Sequence, residues 1–265
     1  MKPRLIARWL ATPMGAVALL ITSVALAADV HVMISAGFFQ AYSALAPGFE
    51  RASGHKLVTT RGPSLGDSPE AIPNRIKRGE FADVVIMAGA SIDELGRQEL
   101  VNASSKVNLA RSEIGMVVRA GAPKPDIGSV EAFRRTLLEA KSIAYSDSAS
   151  GIYLSTTLFV KLGVADQVAG KARKIRGPPS GEQVATVVAR GEAEIGFQQV
   201  SELIDVPGAS FVGTIPAELQ QETFFAAAIA ATVKEQEAAG ALIRFLSSPE
   251  AAPAITKAGL TPVAR

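Results

Sequence analysis

No cysteine occurs in the 265 residues, and there are only two histidines. The first absence excludes disulfides, zinc–thiolate centres and cysteine nucleophiles. His31 falls on a predicted strand and His55 in a turn, neither beside a nucleophile motif. G-x-S-x-G, H-E-x-x-H and a glycine-rich nucleotide loop are all missing. Basic residues are scattered, the net charge is only +2, and no basic run is interleaved with aromatics, so nucleic acid is not a partner. Beyond the first 26 residues no apolar run approaches the roughly 20 residues that span a bilayer. Neither internal repeats nor low-complexity stretches occur. These absences predict a protein that captures a ligand without metal, cofactor or turnover; an exported hydrolase is the alternative of another class.

What is present begins at the N-terminus. Lys2, Arg4 and Arg8 precede an apolar run from Met14 to Leu26, closed by Ala25-Leu26-Ala27. A basic region, a short apolar core and an A-x-A site make residues 1–27 an expected export signal, cleaved after Ala27, with a periplasmic mature protein. An exported chain without disulfides must rely on its core, and 48% hydrophobic residues can supply one.

Strand and helix patterns alternate along the rest, which predicts an α/β architecture. Predicted strands are Val30–Ile34, Lys56–Thr60, Ala82–Met87, Gly115–Arg119, Ser142–Tyr145, Ala193–Phe197 and Phe224–Ile229. Phe38, Tyr42, Leu45 and Phe49 make an amphipathic stripe, with Pro47 expected to kink or split the helix. Ser91 with Glu94, and Ser180 with Gln183, read as capping boxes. Leu154, Leu158 and Leu162 share one helical face, and Gly163 supplies a stop.

Small, hydroxyl-bearing residues recur where strands hand over to helices: Ser35-Ala36-Gly37, then Ser148-Ala149-Ser150-Gly151. Helix starts leave backbone N–H groups unpaired, and small residues let a compact anion reach them. Arg61–Ser64, Ser180 and Gln198-Gln199 also fall at predicted strand ends or helix starts, where open α/β sheets bind ligands. Arg61 is the one charged group placed near this crevice. A guanidinium fork suits a planar carboxylate, so an organic acid is the alternative to a tetrahedral oxyanion.

The segments Val32-Met33-Ile34-Ser35-Ala36-Gly37, Ile76 to Ile86, Ala149-Ser150-Gly151-Ile152-Tyr153, Arg190 to Gly196 and Leu246 to Ala252 carry a resemblance. The chain resembles the type II periplasmic solute-binding proteins of ABC importers, in their molybdate-binding branch. The resemblance implies two lobes around a ligand cleft: residues 28–112 with 222–265, and residues 113–221. It implies a monomer that captures a small anion and delivers it to an inner-membrane permease. By position, the family's serine and backbone donors fall near Gly37, Ser64, Ser150 and Gly181. Its tyrosine falls at Gln199, an amide where the family has a phenol. The expected ligand set is therefore Ser35, Gly37, Arg61, Ser64, Ser148, Ser150, Gly151, Gly181, Gln198 and Gln199.

Overall fold

The computed structural model describes residues 27–263, so nearly all of the segment read as an export signal lies outside the described residues. The chain runs β1 (Asp29–Ile34), α1 (Ala36–Ser53), β2 (Lys56–Arg61), α2 (Ile72–Lys77), β3 (Val84–Ala88), α3 (Gly89–Arg97) and β4 (Val107–Ser112). There follow β5 (Ile114–Arg119), α4 (Val130–Glu139), β6 (Ile143–Ser146), α5 (Ala149–Tyr153), a π-helical turn at Leu154–Leu158 and α6 (Phe159–Lys161). Then come α7 (Ala165–Ala169), β7 (Ala172–Ile175), α8 (Val184–Ala189), β8 (Ile195–Gln199), β9 (Ala209–Thr214) and β10 (Thr223–Ile229). α9 (Gln236–Leu246), α10 (Ala252–Lys257) and β11 (Thr261–Pro262) close the chain.

Two mixed sheets result, ordered β11-β4-β10-β3-β1-β2 and β7-β6-β8-β5-β9. In the first, β1 runs parallel to β2 and β3, while β10 is antiparallel to β3 and β4. In the second, β6 is parallel to β7 and β8, and β5 is antiparallel to β8 and β9. Side chains alternate between strand faces. Thus Val30, Val32, Ile34, Val84 and Ile86 pack against the Phe38–Phe49 stripe and α9, while Met33, Val85 and Met87 pack against Ile72, Ile92 and Leu95. The second sheet is likewise covered on both faces, by Phe133, Leu154 and Leu158 on one and Val184, Val187 and Val188 on the other. Burial on both faces explains why β3 and β8 are buried along their whole length.

Glu113 alone separates β4 from β5, so the chain passes between sheets there and returns between Thr214 and Thr223. Gln220 ties the two crossings together: its amide accepts from the Ile114 N–H at 2.9 Å and donates to the Ile114 carbonyl at 2.9 Å.

Local expectations failed in five places. Pro47 neither splits nor ends α1, which continues to Ser53. Pro47 and Ser43, whose carbonyl loses its helical donor, are both exposed, so water can satisfy that carbonyl. Ser91 is buried inside α3, which starts two residues earlier without a side-chain cap. Ser180 caps nothing, because α8 starts at Val184 and the Ser180 hydroxyl donates to the Glu70 carboxylate instead. The helix carrying Leu154 and Leu158 widens into a π turn, where the Ser155 and Thr156 hydroxyls bond the Gly151 and Ile152 carbonyls at 2.8 and 2.7 Å. Such back-bonding competes with the regular ladder. β4 was not anticipated: Asn108 and Arg111 interrupt its apolar pattern, and pairing with β10 makes it a strand.

Candidate functional site

A cavity lies between the two sheets' layers, where the carboxyl ends of β1, β6 and β8 converge. It is lined by Ser35, Gly37 and Ser64 from one side and by Ser146, Asp147, Ser148 and Ser150 from the other, with Gln198, Gln199 and Glu202 at its base. Residues more than 100 positions apart in sequence therefore share one wall. The free space is about 20 Å³, against roughly 10–15 Å³ for one water. The lobes are closed upon each other. Arg176 Nη2 donates to Ser68 Oγ at 3.1 Å, Ser180 to Glu70, and Ser201 Oγ to the Gly37 carbonyl at 2.7 Å.

Each donor is set by its local backbone. Ser35 stands at the N-cap of α1, held by its N–H to the Ile86 carbonyl at 2.9 Å, yet its side chain makes no cap bond. Its Oγ is buried and has no partner among the described residues, so the hydroxyl is free to serve a ligand. Gly37 is required by a close approach: a Cβ there would lie 2.0 Å from the Phe225 ring. Ser64 Oγ accepts from the Ala88 N–H at 3.0 Å, which leaves its own hydrogen to donate. The Ser146 and Ser150 hydroxyls lie 3.1 Å apart, and Asp147 Oδ1 accepts from the Gly177 N–H at 3.0 Å.

Seven of the ten expected ligand residues line this cavity: Ser35, Gly37, Ser64, Ser148, Ser150, Gln198 and Gln199. Gly151, Gly181 and Arg61 do not. Gly151 packs on the Ser146 carbonyl, 1.7 Å from where a Cβ would stand, and Gly181 packs on the Arg176 carbonyl, 2.0 Å away. Gly151, inside α5, and Gly181, in the bend before α8, permit these close backbone approaches. Arg61 lines an adjoining opening, its guanidinium 3.9 Å from the centre of the Phe39 ring.

Two carboxyls in the wall, Asp147 and Glu202, were missing from the expected set. Glu202 follows β8 in a short 3-10 turn and is 5% exposed. Gln198 Nε2 donates to its Oε1 at 2.6 Å, while Gln198 Oε1 accepts from the Val184 N–H at 3.1 Å. Burial pushes the Glu202 carboxyl up to about 8, against the opposing pull of Arg61 and Gln198 and with a smaller push from Asp147. At neutral pH it is thus mostly a neutral acid, poised to gain or lose a proton. Its sequence signal was slight: one glutamate three residues after a donor-bearing strand end, of a type that is almost never fully buried. Gln199 Nε2 donates to Thr223 Oγ1 at 3.0 Å, and its Oε1 is buried without a partner among the described residues.

A family model described as bacterial extracellular solute-binding protein matches residues 30–261. The chain belongs to that family. It is 47% identical over 232 residues to aconitate isomerase of Pseudomonas sp, covering 88% of this chain and 87% of the relative. It is 27% identical over 244 residues to the molybdate-binding protein ModA of Azotobacter vinelandii, covering 91% and 92%. Among solved structures, the Azotobacter vinelandii periplasmic molybdate-binding protein superposes with a TM-score of 0.70 at 21% identity, covering 88% of this chain and 98% of that one. The sulfate-binding protein SubI of Mycobacterium tuberculosis H37Rv superposes with a TM-score of 0.68 at 19% identity, covering 89% and 87%. The two-lobe periplasmic-binding-protein fold and the resemblance read from the sequence both hold. The expectation of a protein without turnover does not, because a relative nearly half identical along almost its full length is named for an enzyme. That expectation rested on missing nucleophile and metal motifs, which not every enzymatic reaction requires.

Proposed function

We propose that this protein is an isomerase of a small unsaturated tricarboxylate, aconitate, taken up between its lobes in the periplasm. The observation that carries the reading is Glu202, a buried carboxyl held near 8 in the wall of the cleft. The 47% identical aconitate isomerase supports the choice of substrate. Aconitate has a methylene on one side of its double bond. Removing a methylene proton leaves an allylic carbanion, its electron pair spread over three carbons and their carboxylates. Returning the proton to the opposite terminal carbon shifts the double bond and resets its geometry. The step needs one group that takes and returns a proton, and it needs no redox partner. A carboxyl near 8 is matched to that task. At pH 7 about a tenth of it is ionised. Ser35, Ser64 and Ser150 supply hydroxyls for the substrate's carboxylates, and the lobes part to admit it, as hinged binding proteins do.

A second reading is favoured by the family itself: the same cleft captures a compact anion for an ABC permease. Incubation with cis-aconitate, followed by proton NMR, separates the two. The isomerase reading expects trans-aconitate to accumulate, and Glu202→Gln to lower kcat by at least about a hundredfold. The variant should still bind the saturated analogue tricarballylate within about threefold of the parent, since an amide replaces a mostly neutral acid. Tight aconitate binding without conversion would leave the capture reading standing. Full activity in Glu202→Gln would remove Glu202 from the chemistry.

A further inference from the structure

Outside the cavity wall, one charged group stands out by what it lacks. Arg61 ends β2, half-buried against Phe39, yet its guanidinium makes no hydrogen bond or ion pair with any described residue. Its Nε is fully buried and unpartnered. A buried N–H of a charged group left without an acceptor is costly. Arg61 faces an opening of about 480 Å³ whose walls include Gln40, Ser43 and Thr186, and which shares Ala36 and Pro178 with the Glu202 cavity.

Charge and size both direct a polyanion there. The cavity wall holds two carboxyls and no lysine or arginine, so a ligand with three negative charges finds no counter-charge inside it. Twelve non-hydrogen atoms do not fit in about 20 Å³, so part of such a ligand must extend into an adjoining space. The opening on the other side, beside Tyr153 and Phe224, offers Lys106, but that ammonium is already paired with Asp93 at 2.6 Å. Of the acidic groups on the Arg61 side, Glu182 is engaged by Arg190 and Asp205 is exposed. Glu202 is the carboxyl whose charge acts on Arg61, and burial weakens the guanidinium's hold on its proton.

We infer that Arg61 is a specificity-determining residue that binds one carboxylate of the ligand in this opening, selecting a polycarboxylate that reaches out of the Glu202 cavity. The inference rests on the tricarboxylate reading for its ligand, but not on turnover. A planar guanidinium grips a carboxylate at two points, which an ammonium cannot do.

Calorimetry with tricarballylate tests it, on the parent, Arg61→Ala, Arg61→Lys, Glu202→Gln and the Arg61→Ala/Glu202→Gln double variant, each first checked by melting temperature. Arg61→Ala should weaken binding by about tenfold to a hundredfold, and Arg61→Lys should recover part of that. The same loss should recur in the Glu202→Gln background. A loss that vanishes there would mean that Arg61 acts through the charge of Glu202, overturning the inference. So would a loss below about threefold, or a parent that does not bind tricarballylate at all. The isomerase reading is judged separately on aconitate turnover, so a parent that binds tricarballylate but converts nothing fails that reading alone.

Discussion

Replacing Glu202 with glutamine should change how stability depends on pH, in a direction fixed by its surroundings. Burial raises the carboxyl from an ordinary 4.5 to about 8 in the native state. Between those values the folded protein holds a proton that the unfolded chain has released. Stability contributed by this group is therefore complete below about pH 4.5, falls as pH rises, and is lost by about pH 8. At roughly 1.4 kcal/mol per pH unit, that interval corresponds to on the order of 5 kcal/mol. Glutamine keeps a hydrogen-bonding group beside Gln198 but cannot ionise. Urea unfolding of the parent and Glu202→Gln at several pH values from 5 to 9 would measure the difference. The variant should gain on the parent progressively up to about pH 8 and then hold a constant lead. The contributions of other titrating groups cancel in that comparison. Parallel stability curves would show that Glu202 is ordinarily solvated, and the case for it as a proton carrier near neutrality would fall with them.

Two further outcomes follow from the same contacts. Ser35→Ala removes a buried hydroxyl without a partner among the described residues, so unliganded stability should stay within about 0.5 kcal/mol of the parent, while calorimetric affinity for tricarballylate falls by about tenfold or more. Asp83, fully buried, accepts from the backbone N–H groups of His31, Lys234 and Glu235 at 2.8, 2.8 and 3.1 Å; Asp83→Ala should cost at least about 3 kcal/mol in urea unfolding by leaving those donors unsatisfied.

Much of the architecture was legible in the sequence because it rests on short-range periodicity. The Phe38–Phe49 stripe states which face of α1 is buried, and the unbroken apolar run of β3 states burial on both faces, whatever the neighbours are. The strand-to-helix junctions at Ser35 and Ser148 were likewise readable, since small hydroxyl residues there have a local backbone reason. Tertiary structure decided where those junctions meet. It brought Ser35 and Ser64 opposite Ser148 and Ser150, and left Arg61, Gly151 and Gly181 outside the cavity wall. It decided Glu202 above all. A glutamate's proton affinity depends on how much water and which charges surround it. That environment is made by Gln198, Asp147 and Arg61, from three different stretches of the chain. No pattern within a few residues of position 202 contains that information, so a reading along the sequence passed over Glu202.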